Sequence, residues 1–286
     1  MPNIKKTVKV LIQTKPQNRG TKEEMKMSKN LKTVTFNIRC VWKGDGINGF
    51  IHRAGMVYEK IMQEKPDIIM FQELRREHLE LLKRMLPEYT FIGHFRENDY
   101  TGEGLYTSIL NERIQLLGFE SYWLSPTPYV AGSRYENQSE YPRICLTLKL
   151  RDIITGKVFR AVNIHLDHIS DEARVEGIQQ VLKTTGERNL IDNMPTIIAG
   201  DFNAEPDSDT ISFCKNHDNF KVYEVTGKID TTFHNWGQMA VKIDYIFATE
   251  SIKNSVNSAY IWDDCDEGIY LSDHYPVCIE IDTENI

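Results

Sequence analysis

Apolar residues along this chain recur in two rhythms, and the two alternate from Leu31 onward. Short runs of strand length end at turn residues: "KTVTFNI", "DIIMFQE", "YTFIG", "LYTSIL", "ICLTLKL", "KVFRAVNIH", "TIIAG", "IDYIFAT" and "YPVCIEI". Between them apolar residues fall three and four apart. Phe50, Ala54, Val57, Tyr58 and Ile61 predict a helix over "FIHRAGMVYEKIMQE", ended by Pro66. Leu74, His78, Leu81, Leu82 and Met85 share one face of a second, and a third is predicted from Asp171 to Ile191. Strands alternating with helices predict one α/β domain over residues 31–286. Residues 1–30 are polar, with Pro, Gly and mixed charge, and read as a flexible lead-in. The expected native start is therefore Met25 or Met27. The connection "YWLSPTPYVAGSRYENQSEYP" is long, aromatic and proline-rich, a composition and length that go with function or disorder.

The strands end in a repeated way. "TVTFN" ends on Asn37, "DIIMFQE" on Glu73, and "AVNIHLDH" on His165, Asp167 and His168. "TIIAGDFN" carries Asp201 and Asn203, "VKIDY" carries Asp244, and "LSDHYPV" places Asp273 and His274 before a strand. Each alone has an ordinary explanation: a carboxylate at a helix N-terminus, a Gly-Asp turn, a satisfied core histidine. Together they put acids, amides and two histidines at strand ends, where an α/β scaffold builds active sites. Asn37 and Glu73 are hard oxygen ligands suited to Mg²⁺, and the same oxygen-rich set accepts Mn²⁺. Asp201 can position or deprotonate a water. His165 and His274 can donate to charge developing on a phosphate, and Asp244 can hold the His274 tautomer.

Composition narrows the partners. The 286 residues are 41% hydrophobic and 26% charged, with a formal net charge of −7, and no basic stripe of the kind that grips a long duplex. A small phosphorylated substrate is expected, with nucleic acid the alternative. Five scattered cysteines without a CxxC pair argue against a disulfide framework or a zinc cluster. With no apolar run of membrane-spanning length and no signal-peptide core, a cytoplasmic protein that does not engage membranes is expected.

The motifs "TFN", "DIIMFQE", "NIHLDH", "GDFNAEPDS", "IDYIFAT" and "LSDHYPV" occur in the order of the endonuclease/exonuclease/phosphatase superfamily, which this chain resembles from Thr35 to Val277. The resemblance implies a DNase-I-like fold: a four-layer α/β sandwich of two β-sheets flanked by helices, with the site where both sheets open. It assigns Asn37, Glu73 and Asp273 to Mg²⁺, Asp201 and Asn203 to the water and transition state, His165 to the phosphate, and Asp244 with His274 to a supporting pair. The implied reaction is in-line hydrolysis of a phosphoester. "TPYVAGSRYENQSEYPRICLTLKLRD" and "TTFHNWG" are most similar to a bacterial branch of hydrolases. Arg143, Asp167 and His168 are the expected substrate contacts. Ile164 stands where many relatives have Thr. Three readings follow: a phosphodiesterase or phosphomonoesterase, a DNA or RNA nuclease, and a catalytically silent binding module. Retention of Glu73, Asp201 and His274 speaks against the last.

Overall fold

The computed structural model describes residues 29–286. Residues 1–28, and with them nearly all of the expected lead-in and the expected start at Met25 or Met27, lie outside the described residues. The first half of the fold comprises β1 (Asn30–Asn37), α1 (Phe50–Glu64), β2 (Ile68–Leu74), α2 (Arg76–Met85), β3 (Tyr89–Phe95), β4 (Gly104–Leu110) and β5 (Ile114–Trp123). There follow β6 (Ile144–Asp152), β7 (Val158–His165), α3 (Asp171–Asp192), β8 (Thr196–Asp201), α4 (Asp209–Asn216) and β9 (Tyr223–Glu224). The chain closes with β10 (Asp244–Ala248), α5 (Glu250–Lys253), β11 (Val256–Ile261), β12 (Cys265–Asp266), β13 (Ile269–Tyr270) and β14 (Val277–Asp282).

Two six-stranded mixed sheets face each other, in the orders β11-β14-β1-β2-β4-β3 and β5-β6-β7-β8-β10-β9. Leu31, Met70, Leu146, Leu148, Ile197 and Ile246 fill the space between them. On one outer face Val57, Ile61 and Leu82 of α1 and α2 pack on Phe36 and Phe71. On the other, Ile178, Val181 and Ile211 of α3 and α4 pack on Val162 and Phe247. Each such fully buried side chain contributes about 1.5–3 kcal/mol of transfer free energy. The result is the expected four-layer α/β sandwich. No helix among the described residues is long and apolar enough to cross a membrane.

The strand ends are brought together by the register. β1 and β2 pair in parallel, with Asn37 opposite Gln72. In the other sheet His165 of β7 stands opposite Asp201 of β8, which stands opposite Asp244 of β10. Beneath this end the sheets are tied by buried amides: Gln72 Nε2 donates to Asn163 Oδ1 at 2.8 Å, and Asn163 Nδ2 to the carbonyls of Phe71 and Tyr106 at 3.1 and 3.3 Å. A buried amide pair with its hydrogen bonds made fixes the two sheets in one relative position.

The fold differs from the predicted elements in places. β5 and β11 were not expected as strands; both are edge strands with partly exposed positions, so neither shows an unbroken apolar run. The eight-residue α4 was also unpredicted; its Ser208 accepts from Ile211 N. Leu74 belongs to β2 rather than to α2, whose buried residues are His78, Leu79 and Leu82.

Candidate active site

Backbone geometry at three strand ends aims the polar side chains. β2 carries a bulge between Phe71 and Leu74, and within it Glu73 has φ 57°. That left-handed conformation costs a glutamate on the order of 1 kcal/mol or more, and such strain gathers at functional sites. Its carboxylate is thereby turned to the strand end. In β8, Gly200 runs so close to β7 that a Cβ there would lie 1.9 Å from the Ile164 carbonyl oxygen. Only glycine lets β8 reach the register that pairs Asp201 with His165. Just beyond it Asn203, at φ 49°, donates its own N–H to Asp201 Oδ1 at 2.8 Å and its amide to the Leu166 carbonyl at 3.1 Å.

These side chains meet in one network. Asn37 Nδ2 donates to Glu73 Oε1 at 3.1 Å and to Asp201 Oδ2 at 2.9 Å, so a single amide bridges the carboxylates of the two sheets. Asn37 Oδ1 accepts from Arg39 N at 3.0 Å, and Glu73 Oε2 from Cys40 N at 2.8 Å. Ser272 Oγ donates to the Asn37 carbonyl at 2.7 Å. His274 Nδ1 lies 2.8 Å from Asp244 Oδ2, and its Nε2 lies 3.9 Å from Asp201 Oδ2. His165 Nε2 lies 3.5 Å from the same Asp201 oxygen. Asp273 stands slightly apart, with Oδ2 3.5 Å from Arg39 Nε and Oδ1 accepting from Ser272 at 3.2 Å.

Burial and neighbours pull the titrations in opposite directions. Burial pushes Glu73 up, but the Cys40 N–H, the His274 charge and the Asn37 amide outweigh it and hold the carboxyl at about 2. Asp201 is pushed up to about 7 by burial and by the Asp244 charge, against the pull of His274 and two hydrogen bonds. Burial opposes a charged His274, yet the charge and hydrogen bond of Asp244, helped by Asp201, raise it to about 10. His165 is held well below its usual range by burial and by the Arg143 and Arg96 charges, and is neutral.

The network opens into a cavity of about 490 Å³. Glu73, His165, Asp201, Asn203, Asp273 and His274 line it, together with Arg75, Arg96, Arg143, His168 and Tyr141. Arg143 is buried and its Nη2 lies 2.9 Å from His168 Nδ1. Arg96 sits under Tyr141, its guanidinium carbon 4.9 Å from the ring centre, and pairs with Glu103 at 2.8 Å. Arg96, Ser272 and the Gln72–Asn163 tie were not singled out from sequence. Arg96 sits in "FREND", which reads as an ordinary solvated turn, and partners in the opposite sheet leave no local signal. Phe233 and Asn235, from "TTFHNWG", also line the cavity, and the Phe233 ring packs 4.8 Å from that of His274.

Asn37 and Asp273, expected at Mg²⁺, are engaged otherwise: Asn37 with Glu73, Asp201 and the Arg39 N–H, and Asp273 with Arg39 and Ser272. Asp167 does not line the cavity. Its carboxylate accepts from Ser139 Oγ and from the N–H groups of Ile169 and Ser170, at 3.1 and 2.8 Å, and so fastens the long connection to the start of α3. Trp42 forms part of the cavity wall, whereas Trp123, the last residue of β5, is buried and donates to the Arg96 carbonyl at 2.7 Å.

Glu73, His165 and Asp201 offer ligand atoms within 4.8 Å of one another, as do Asp201, Asp244 and His274. In the second group Asp244 is already hydrogen-bonded to His274. The first, with two carboxylates drawn together by one neutral amide, has the donor chemistry that suits a hard divalent cation. Cys40, Glu73 and Glu103 form a third group, in which burial and nearby carboxylates push the metal-free Cys40 thiol far up.

The model of the endonuclease/exonuclease/phosphatase family matches residues 34–274. The chain belongs to this family, a hydrolytic one. A structure of a family member from Bacteroides vulgatus superposes with a TM-score of 0.82 and 28% identity, covering 88% of this chain and 98% of that one. A mannosyl-6-phosphatase from Bacteroides thetaiotaomicron superposes at 0.77 with 25% identity, covering 88% and 99%. The L388 protein of Acanthamoeba polyphaga mimivirus is 25% identical over 254 residues, 80% of this chain and 90% of that protein. Family membership accounts for the order in which the motifs occur along the chain.

Proposed function

We propose that this protein is a metal-dependent phosphoesterase acting on a small phosphorylated molecule, by in-line attack of an activated water. The observation that carries the reading is the convergence, on one cavity, of the Glu73 and Asp201 carboxylates with Arg143, Arg96 and His168. Glu73 and Asp201, drawn together by Asn37 with His165 beside them, would hold Mg²⁺ or Mn²⁺, which supplies charge neutralisation at the phosphate. Asp201, its carboxylate held by the Asn37 amide and the Asn203 N–H, accepts a proton from the attacking water. Asn203 keeps the Asp201 carboxylate oriented. His274, kept charged by Asp244, presents Nε2 to charge developing on the phosphoryl oxygens. His165 offers a neutral imidazole, and Arg143 with His168 bind the phosphate. Asp273 holds Arg39 and through it the turn after β1.

The cavity has the size of a small-molecule site, and the net charge of −7 suits neither a duplex nor a long strand. Likeness to a mannosyl-6-phosphatase favours a sugar phosphate. Free cysteines throughout the described fold suit a reducing, cytoplasmic setting. One observation favours a nuclease instead: Trp42, 62% exposed on the cavity wall, is a stacking face for a base. Phosphate release from a panel of sugar phosphates and nucleotides, beside cleavage of a single-stranded oligonucleotide, separates the two. The reading predicts phosphate release with Mg²⁺ and an intact oligonucleotide; oligonucleotide cleavage alone would move the assignment to a nuclease.

A further inference from the structure

We propose that the site selects phosphomonoesters over phosphodiesters, because a narrow slot beside the cavity receives one terminal oxygen of the phosphate against Arg143 and Arg96. This rests on the phosphoesterase reading above.

Next to the large cavity lies a recess of about 10 Å³ between Glu73, Arg96, Glu103, Arg143 and His165, residues that line both spaces. That is room for roughly one water-sized atom. Gly104, Leu105 and Ile144 form the rest of its wall. Arg143 is 4% exposed and has donors to spare. Its Nη1 and Nε have no hydrogen-bond partner, Nε standing 3.7 Å from Asp167, and Arg96 Nε, 3.6 Å from Glu97 Oε1, has none either. Buried charged donors left unpaired are costly, and two guanidinium groups side by side repel each other. Burial and the Arg96 charge accordingly lower Arg143 to about 10. An anionic oxygen in the recess answers both costs.

The carboxylates at the recess do not compete for that place. Glu103 Oε2 is taken by Arg96 Nη1 at 2.8 Å, and Glu73 is held by Asn37 and the Cys40 N–H. Arg143 also lies within the electrostatic reach of His165 and Asp201, so the oxygen it would hold belongs to the phosphate that the water attacks. A monoester has three terminal oxygens: one can face the carboxylate side, one His274, and one the slot. A diester has two, and its second bridging oxygen carries a carbon that a slot one atom wide does not admit.

The test compares kcat/KM for p-nitrophenyl phosphate and methyl p-nitrophenyl phosphate at saturating Mg²⁺, in the wild type, Arg143→Met and Arg143→Lys. Wild type should favour the monoester by on the order of 10⁴-fold, the scale at which a site built to hydrogen-bond a substrate group rejects an analogue lacking it. Arg143→Met should lose most of that ratio by slowing the monoester far more than the diester. Arg143→Lys keeps the charge and decides the matter if the methionine variant fails to fold, since one ammonium cannot reproduce the guanidinium fork and the ratio should again fall. A wild type that hydrolyses both esters equally, or an Arg143 variant that slows both equally, overturns the slot and leaves the phosphoesterase reading standing. If neither ester turns over, that reading fails, and binding of inorganic phosphate against dimethyl phosphate judges the slot alone. Phosphate bound by wild type and weakened in Arg143→Met supports it; equal affinity for the two ions, or no binding of either, overturns it.

Discussion

His274 and Asp244 share a hydrogen bond of 2.8 Å between Nδ1 and Oδ2, with both side chains buried. The bond fixes the imidazole's outward nitrogen, Nε2, toward Asp201 and the cavity. It also explains why a histidine in a dry setting keeps its proton: the Asp244 charge outweighs the desolvation that would remove it.

That relationship predicts a pH dependence of stability in metal-free protein. The folded imidazole is raised to about 10 from an unfolded value near 6.5, so it contributes stability in full below about pH 6.5 and loses it as pH rises toward 10. In EDTA, the difference in unfolding free energy between wild type and Asp244→Asn should shrink steadily across that window. NMR titration should place the His274 transition far lower in the variant. A difference independent of pH would show that Asp244 does not hold the proton on His274.

On the proposed function, Glu73→Gln removes a ligand charge but keeps the side chain's size. The Cys40 N–H can still donate to the amide oxygen. Folding should be nearly unchanged, while the Mg²⁺ concentration for half-maximal activity, and the dissociation constant by calorimetry, rise by on the order of 10-fold or more, the scale of one lost charged ligand contact. Unchanged metal affinity would remove Glu73 from the metal site.

Much of this site was legible because its residues end apolar strands. A buried run that terminates in Asn37, Glu73 or Asp201 announces both the strand and the polar end, and no third element has to be known. Asp167 shows the limit. It follows His165 by two residues and looked like part of the same floor, but whether a carboxylate faces a cavity or captures nearby N–H groups depends on where Ser139 of the long connection comes to rest. Arg143 was visible as a candidate, whereas its burial and spare donors were not, because Arg96 reaches it from a different sheet. Strands β5 and β11 escaped for a simpler reason: partly solvated edges dilute the apolar pattern.

Gly200 tests the frame rather than the chemistry. A methyl group there meets the Ile164 carbonyl at 1.9 Å, inside any permitted contact, and backbone must move to admit it. Gly200→Ala should lower the unfolding free energy by about 3 kcal/mol or more, read from the denaturant midpoint. Activity should fall with it, since the His165–Asp201 register is what the glycine permits. An unchanged midpoint would mean that the β7–β8 approach is looser than described.

The central claim is that Asp201 prepares the attacking water at a metal-dependent centre. The most direct measurement is hydrolysis of a small phosphate ester with Mg²⁺, with EDTA, and by Asp201→Ala at matched folded concentration. The account predicts turnover that EDTA abolishes and that falls by orders of magnitude in the variant, whose melting temperature stays close to that of the wild type. Turnover indifferent to EDTA, or a well-folded Asp201→Ala protein that keeps most of its activity, would contradict it.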